Sequence, residues 1–341
     1  MSTNICICGG GSLGHVCAGV LASQENIKVN ILTQHPSLWS KEIVINDINK
    51  KQYIGKINLV TDNPKEALMD CTIVFLCLPG FAIEETMHRI KPYLTEQSII
   101  GSIVCSTGFF FAAHKILDKR TKLFGFQRTP YIARTVSYGH SANLLGYKPE
   151  VAIATENISN TEQFRILIEN LWLTPTKLLN NYYEVSLTNS NPILHTGRLY
   201  TMWSEPKNYL SDHQILFYKE WTIEASQTII DMDNEFMQLL QVLPIKDRAI
   251  PSLLDYYEST DANSLTQKIS SIKAFQTILA PMIKTPNGWV PDFQSRYFTE
   301  DFPYGLRFIY QLTKEKNIQA PTIEKIYQWG INKVNCGKVF E

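Results

Sequence analysis

The run Asn4-Ile-Cys-Ile-Cys8, followed directly by Gly9-Gly-Gly-Ser-Leu-Gly14, decides the fold of this chain. The first five residues are a short apolar run of strand type, and a helical pattern rich in small residues covers residues 15–22. A strand, a glycine turn and a helix therefore follow one another without interruption. In this context the pattern G-x-G-x-x-G predicts a loop that binds the pyrophosphate of a dinucleotide.

Each glycine of this loop has its own expected role. Gly9 permits the tight turn, Gly11 lets the backbone approach a pyrophosphate, and Gly14 lets the helix pack on the strand. The amides at the start of the helix, among them those of Ser12 and Leu13, complete an anion site. Two other interpretations are a glycine turn without a ligand and a methyltransferase loop. A methyltransferase usually has an acidic residue at the end of the second strand, and this chain has none there.

Further apolar runs predict more strands of the same sheet, at residues 28–33, 71–78 and 98–105. They are continuously apolar rather than alternating, as expected of a parallel sheet that is covered on both faces. Weaker strand signals follow at 122–126, 151–155 and near 177, with a helix at 161–173. We therefore predict a doubly wound Rossmann-type α/β domain over residues 1–182.

The pattern changes after residue 182, where helix-period stretches dominate and strand signals nearly vanish. These stretches cover residues 183–204, 213–241, 262–281 and 305–316, with proline-bearing loops at 205–208, 244–251 and 286–291. We predict a mostly α-helical C-terminal domain over residues 183–341. The expected fold class is thus α/β, with the Rossmann-type domain first.

The end of the second predicted strand bears on the choice of nucleotide. An NAD enzyme commonly places Asp or Glu about 20 residues past the glycine loop, whereas this chain has Thr33-Gln34-His35. No carboxylate is there to repel a 2′-phosphate, and His35 or Lys41 would attract one. NADP is therefore slightly favoured over NAD. The alternative is that Thr33 and Gln34 hydrogen-bond the hydroxyls of a plain ribose.

Composition excludes several classes of protein. The 341 residues carry 32 Lys+Arg and 32 Asp+Glu without a basic run, so no nucleic acid partner is expected. The N-terminus has no basic region of a signal peptide, and the longest uncharged run, residues 98–113, is too short to span a membrane. Seven scattered cysteines predict reduced thiols in a cytoplasmic protein, and the pair Cys6-x-Cys8 has no partner at metal-ligand spacing. No metal site is expected, and both a monomer and a homodimer fit.

The most informative stretch of the second domain is Asn191-Pro-Ile-Leu-His195. Asn191 and His195 would share one helix face, with Thr188 and Glu184 one and two turns before them. Burying such polar groups without a use is costly, which makes His195 a candidate acid/base. The alternative is a structural histidine with satisfied hydrogen bonds.

Several motifs follow one another in order along both predicted domains. They are Gly-Gly-Gly-Ser-Leu-Gly-His at 9–15, Gln127-x-x-Pro130, Arg134, Gly139, Gly146-x-Lys148, Asn191-Pro-x-x-His195 and Arg296-Tyr-Phe-Thr-Glu-Asp301-Phe-Pro-Tyr-Gly-Leu306. Together they resemble the octopine/nopaline (opine) dehydrogenase family. The resemblance implies a Rossmann domain followed by a helical substrate domain. It also implies an enzyme that condenses an amino acid with a 2-oxo acid and reduces the imine with NAD(P)H.

The resemblance also implies roles for individual residues. His195 would be the catalytic acid/base paired with Asp301, Arg296 would hold a substrate carboxylate, Asn191 would line the same face, and Gln127 would contact the oxo acid. These roles are chemically sensible, because imidazole serves as both acid and base near neutral pH and a guanidinium grips a planar carboxylate with two hydrogen bonds. Tyr147 stands where some relatives have a small hydroxyl residue, which puts contacts from that loop in doubt.

Alternatives remain open at this point. Glu300 could replace Asp301 as the partner of His195, and Arg296 and Asp301 could form a plain surface ion pair. The chain could be a ketopantoate-reductase-like or 2-hydroxyacid reductase that needs no amine, or a non-catalytic NAD(P)-sensing module. The amino acid is not identified; a basic one would want a carboxylate, for which the candidates are Glu184, Glu220 and Asp255.

Overall fold

The computed structural model describes residues 3–337. The chain divides into two compact units, Met1–Ser186 and Leu187–Glu341. The division falls four residues beyond the predicted one because the helix at this point belongs largely to the first unit. Val185 is fully buried in the first unit's core, and Tyr182 packs against the same core.

The first unit alternates strands and helices, as predicted. In chain order its elements are β1 (Thr3–Cys8), α1 (Ser12–Ala22), β2 (Ile27–Leu32), β3 (Glu42–Asp47), β4 (Gln52–Lys56), β5 (Leu59–Thr61), α2 (Pro64–Ala67), β6 (Ile73–Leu76), α3 (Gly80–Ile90), β7 (Ile99–Ser102), α4 (Phe109–Ile116), β8 (Lys122–Phe126), β9 (Tyr131–Ser137), β10 (Ser141–Tyr147), β11 (Val151–Glu156), α5 (Thr161–Trp172), β12 (Thr176–Leu178) and α6 (Tyr182–Leu187).

The main sheet has the strand order β12-β11-β8-β7-β6-β1-β2-β5. The pairs formed by β1, β2, β5, β6, β7 and β8 are parallel, which confirms the predicted doubly wound Rossmann-type sheet. One strand departs from the expectation: β11 runs antiparallel to β8. In the chain, β9 and β10 lie between β8 and β11 and belong to another sheet.

Two hydrophobic cores cover the two faces of this sheet. Ile5 and Ile7 of β1 point into one core, shared with α1 and α5, whereas Cys6 and Cys8 point into the other, shared with α3 and α4. Six cysteines are free and buried, in line with the predicted reduced thiols, and the side chain of Cys336 lies outside the described residues. Burial raises the pKa of the Cys105 thiol, which makes that side chain unreactive.

A second sheet, with the order β4-β3-β10-β9, was not predicted. Its strands alternate between buried and exposed residues, and Ile43 and Ile45 of β3 pack on α1. Gly19 of α1 and Gly55 of β4 allow this close approach, since a Cβ on Gly55 would lie 2.6 Å from the carbonyl oxygen of Gly19. The alternation Ile43-x-Ile45 was the available signal.

The second unit is mostly helical, as predicted. Its elements are α7 (Asn191–Trp203), α8 (Ile223–Val242), α9 (Leu253–Tyr256), α10 (Ala262–Ser271), β13 (Met282–Thr285), β14 (Gly288–Pro291), α11 (Arg296–Thr299), a π-helical turn (Phe302–Leu306), α12 (Arg307–Glu315) and α13 (Pro321–Gly337). Helices α7 and α8 pack closely at Gly197, where a Cβ would lie 2.6 Å from Ile229. Within the described residues, no helix has the length and apolar character that crossing a bilayer would require.

Several predicted helix bounds in this unit are wrong. The stretch 183–204 is interrupted between α6 and α7, because Pro192 lacks an amide hydrogen and suits only the first turn of a new helix. Glu184 and Thr188 therefore do not continue the face of His195. Residues 213–222 form a loop before α8, α10 ends at Ser271, and 286–291 contribute to the β13–β14 hairpin rather than to a loop. Helix α13 was not predicted.

Candidate active site

The glycine loop follows β1 and precedes α1, and two of its glycines are required by the fold itself. Gly9 adopts a φ of +124°, and a Cβ there would lie 2.5 Å from the carbonyl oxygen of Cys77. A Cβ on Gly14 would lie 2.1 Å from the carbonyl oxygen of Gly9. These positions match the expected roles of turn and of helix packing.

Gly11 differs from both. It is exposed, its backbone conformation is open to any residue, and a Cβ built on it would meet no described atom within 4 Å. The fold therefore does not need glycine at this position. Gly11 is also the N-cap of α1 and offers no side-chain cap to the first-turn amides, so a bound anion could approach them closely.

Side chains beneath the loop hold it in place. The backbone amide of Gly139 donates to Nε2 of His15 at 2.7 Å, so Nδ1 of His15 carries the hydrogen and donates to the carbonyl of Gly11 at 2.9 Å. Burial lowers the pKa of His15, which favours this neutral form. The hydroxyl of Ser12 accepts from the amide of Thr135 at 3.0 Å. Ser12 thus ties the start of α1 to β9.

A cavity of about 220 Å³ opens next to the glycine loop, at the carboxyl ends of β1, β2 and β6. Gly9, Thr33, Gln34 and His35 line it, whereas Gly11, Ser12, Leu13 and Gly14, which were also predicted to bind the cofactor, lie outside its lining. Thr33 is buried and its hydroxyl lies 3.3 Å from that of Tyr138, whereas Gln34 and His35 are exposed. Such sheets bind ligands at the carboxyl ends of their parallel strands, at the point where the strand order reverses.

Sequence reasoning missed the contribution of α3 to this cavity. Phe81, Glu85 and Arg89 line it from successive turns of that helix, so their spacing of four was the available signal. The guanidinium of Arg89 donates to the carbonyl of Asp62 at 2.8 Å. The cavity therefore contains one fixed cation and one carboxylate in addition to the residues at the end of β2.

His195 lies on the second turn of α7 and is largely buried. Its Nδ1 is 2.7 Å from a carboxylate oxygen of Asp301, so Nδ1 donates to that carboxylate. In the neutral ring Nε2 then bears the lone pair and accepts a hydrogen bond from the hydroxyl of Tyr218 at 2.8 Å. Tyr218 was not singled out as a site residue from the sequence.

Two motifs bring Asp301 to His195. Pro192 begins α7, and Gly305 lies in the π-helical turn that follows Asp301. A Cβ on Gly305 would lie 3.0 Å from the ring of Pro192, so the turn packs directly on the first turn of α7. The two motifs therefore form the two sides of one contact, Asn191-Pro-x-x-His195 on one side and Asp301-Phe-Pro-Tyr-Gly305 on the other.

The remaining predicted site residues are placed as follows. Asn191 is half-buried at the start of α7, one turn before His195, and Arg296 is exposed at the start of α11. Within the described part of the chain, the guanidinium of Arg296 has no ion-pair or hydrogen-bond partner, so the expected alternative of an ion pair with Asp301 is wrong. Gln127 follows β8 in the first unit, where its backbone amide donates to the carbonyl of Ala152 at 2.9 Å.

The three carboxylates considered for a basic substrate all have protein partners. Glu184 is buried and accepts from both nitrogens of Asn180, each at 3.0 Å. Glu220 accepts from the amide of Leu216 at 2.6 Å, and Asp255 accepts from the hydroxyl of Ser252 at 2.7 Å. Because each carboxylate already accepts hydrogen bonds from the protein, all three are weaker candidates for binding a basic substrate.

A doubly wound sheet with a glycine loop, followed by a helical unit that carries a histidine–carboxylate pair, defines a two-domain NAD(P)-dependent oxidoreductase. Comparison with known proteins narrows this class. Residues 178–333 match the family model of the NAD/NADP octopine/nopaline dehydrogenase alpha-helical domain, and residues 5–107 match that of ketopantoate reductase PanE/ApbA. These matches support the opine dehydrogenase family that the motifs indicated.

Individual relatives span nearly the whole chain. Tauropine dehydrogenase from Arabella iricolor is 25% identical over an alignment of 355 positions, which covers 95% of this chain and 89% of that protein. An octopine dehydrogenase solved with NADH and L-arginine superimposes with a TM-score of 0.87 at 21% identity, covering 98% of this chain and 90% of that one. A yersinopine dehydrogenase with bound NADP+ gives a TM-score of 0.74 at 12% identity, covering 98% and 91%.

Proposed function

We propose that this protein condenses the amino group of an amino acid with the carbonyl of a 2-oxo acid and reduces the product with NAD(P)H. The observation that carries the proposal is the hydrogen bond of 2.7 Å between Asp301 and Nδ1 of the largely buried His195. Together with a glycine loop whose Gly11 has no structural need to be glycine, it provides acid/base chemistry and a place for a dinucleotide.

In the proposed chemistry, His195 acts first as a base and then as an acid. Attack of an amine on a ketone releases a proton, and loss of the hydroxyl as water requires one, so a single imidazole can store and return it. Asp301 fixes the tautomer and stabilises the ring while it is charged. Bound NAD(P)H supplies the hydride that completes the reduction.

Three other residues would hold the substrates. Arg296, whose guanidinium has no partner among the described residues, would grip a carboxylate with two parallel hydrogen bonds. Asn191, one turn before His195, would orient the groups that react there, and Gln127 would contact the oxo acid.

We further propose that the nucleotide cavity accepts NADP(H). Residues 33–35 contain no carboxylate to repel a 2′-phosphate, and His35 and Arg89 line the same cavity. Glu85 lines the cavity as well, and its carboxylate would repel a phosphate group placed next to it. The relatives named above include proteins solved with NADH and with NADP+, so the preference must be measured directly.

The main test measures oxidation of NADPH and, separately, of NADH with pyruvate or 2-oxoglutarate, alone and with a panel of amino acids. Oxidation that requires both substrates is the expected result. Oxidation with the oxo acid alone would identify a reductase related to the ketopantoate reductase matched by residues 5–107. Tight cofactor binding without turnover over a broad panel would identify a nucleotide sensor.

Variants of the pair then test the assignment of the acid/base. His195→Ala and Asp301→Asn should each lower kcat by about 10²–10⁴-fold while the protein stays folded and binds nucleotide normally. His114→Ala is the matched control, because His114 also contacts a carboxylate, that of Glu156, at 3.0 Å. Full activity in either active-site variant would refute the assignment.

A further inference from the structure

The second ring nitrogen of His195, the one that does not face Asp301, is already occupied by a protein group. The hydroxyl of Tyr218 lies 2.8 Å from Nε2, and the carboxylate of Asp301 lies 2.7 Å from Nδ1. In this arrangement neither nitrogen is open to a substrate directly. The atom through which His195 can exchange a proton is the oxygen of Tyr218.

The ring of Tyr218 is held firmly by its neighbours. It stacks on Phe275 with ring centroids 4.5 Å apart, lies parallel to Trp221 at 6.0 Å and meets the edge of Phe217 at 4.9 Å. Only 5% of the residue is exposed. Moving this ring aside to free Nε2 would disrupt three aromatic contacts at once.

The backbone that carries Tyr218 is also anchored on both sides. Before it, the amide of Leu216 donates to the carboxylate of Glu220 at 2.6 Å. After it, the guanidinium of Arg198 donates to the carbonyl of Glu220 at 2.6 Å. Arg198 lies on α7 three residues after His195, so the helix that carries the imidazole also fixes the loop that carries the phenol.

The protonation state of the phenol suits a donor. Burial raises the pKa of Tyr218 above its usual range, with Tyr297, Tyr257 and Asp301 contributing in the same direction. Near neutral pH the hydroxyl therefore keeps its hydrogen, and it donates to the lone pair on Nε2. A phenol in this state can pass a proton on only when it receives another at the same time.

We propose that Tyr218 is a catalytic residue that carries the proton between His195 and the substrate, an inference that rests on the proposed function. As the amine attacks, its nitrogen gives a proton to the Tyr218 oxygen, which passes its own hydrogen to Nε2 of His195, and the carbonyl oxygen takes a proton from solvent water to become a hydroxyl. In the dehydration step, the bond from carbon to the hydroxyl oxygen breaks and the nitrogen lone pair forms the C=N bond. The oxygen leaves as water with the hydrogen of Tyr218, and Nε2 returns its proton to the phenol.

The test is Tyr218→Phe, which keeps the aromatic contacts and removes only the hydroxyl. We expect kcat to fall about 10²-fold with KM changed less than about threefold, because the relay is lost while the pocket remains. Tyr131→Phe is the matched control: Tyr131 is also buried, and its hydroxyl donates to the carbonyl of Trp172 at 2.6 Å in the first unit. It should leave kcat unchanged.

Two kinetic results would overturn the proposal. Wild-type kcat in Tyr218→Phe, or a lowered KM with unchanged kcat, would show that the phenol only packs or blocks the site. A readout independent of activity is the ¹⁵N signal of His195 in histidine-labelled protein, assigned with His195→Gln. Tyr218→Phe should move the Nε2 signal, and a wild-type Nε2 signal typical of a nitrogen without a hydrogen bond would also overturn the proposal.

Failure of the proposed function is visible separately. Wild-type protein that oxidises no cofactor in the presence of an amino acid and a 2-oxo acid would overturn the reaction, and the relay step with it, before any variant is made. Amine-dependent turnover in the wild type with an unaffected Tyr218→Phe variant would remove the relay alone.

Discussion

Replacing Gly11 by alanine should separate binding of the cofactor from stability of the fold. A Cβ at this position would meet no described atom within 4 Å, and the φ of −79° is ordinary for alanine. At a helix N-cap alanine is less favourable than glycine by up to about 1 kcal/mol, and it regains about 0.4–1 kcal/mol by restricting the unfolded chain. The free energy of unfolding should therefore change by less than about 1 kcal/mol.

The effect on nucleotide binding should be much larger. If a pyrophosphate packs on the backbone at Gly11, the added methyl group overpacks that contact, which typically costs about 1–3 kcal/mol. Since about 1.4 kcal/mol corresponds to a tenfold change, Kd for the dinucleotide should rise about 5–150-fold. Urea unfolding without nucleotide measures the first quantity, and a fluorescence titration with NADPH or NADH measures the second.

Gly14→Ala is the contrasting variant. Its Cβ would lie 2.1 Å from the carbonyl oxygen of Gly9, so the helix must move away from the strand and the fold should lose about 1–3 kcal/mol or more. Gly11→Ala protein that binds nucleotide as tightly as wild type would refute the reasoning, because a close approach of the ligand to this backbone could not then exist. Loss of stability in Gly11→Ala equal to that in Gly14→Ala would refute it as well.

Three further predictions follow from buried charges and from the nucleotide cavity. Burial in α8 raises the pKa of Asp233 to about 6, above its unfolded value, so its ionisation opposes folding above that pH. Asp233→Asn should raise the free energy of unfolding at pH 8 by about 1–3 kcal/mol, and urea melts should show this gain vanishing as the pH falls from 6 to below 4. Glu235→Ala should cost about 2–4 kcal/mol in the same assay, because both oxygens of this buried carboxylate accept amides at the start of α13, at 2.8 and 2.9 Å. Arg89→Ala should raise KM for NADPH about 10–100-fold and leave KM for NADH nearly unchanged; equal effects on both would contradict a 2′-phosphate contact.

Local patterns in the sequence predicted much of the first unit. The continuous apolar runs predicted parallel strands, because both faces of such a sheet are covered and no alternation is needed. The second sheet escaped notice because its short strands are apolar on one side only, and because β3 and β10, which join its two halves, pair across 97 positions of sequence. Pairing at that sequence distance leaves no local signature.

The candidate site was likewise only partly predictable from the sequence. The pairing of His195 with Asp301 was expected from a family resemblance, but no rule of spacing connects two residues 106 positions apart. The contact depends on the π-helical turn packing against Pro192, which is a tertiary fact. Tyr218 and Arg89 were passed over because aromatic and charged residues on loops and helix surfaces are common, and only their neighbours in space distinguish them.

The sequence by itself determined the strand–glycine–helix unit, the sheet built on it and the change to a helical second unit, because these follow from periodicity and from the steric needs of Gly9 and Gly14. It also determined which residue types were available for acid/base chemistry. Only the tertiary structure decided that Gly11 is free of any packing requirement and that both nitrogens of His195 have partners. Burial and hydrogen-bond geometry depend on atoms brought together from distant parts of the chain, and no local pattern encodes them.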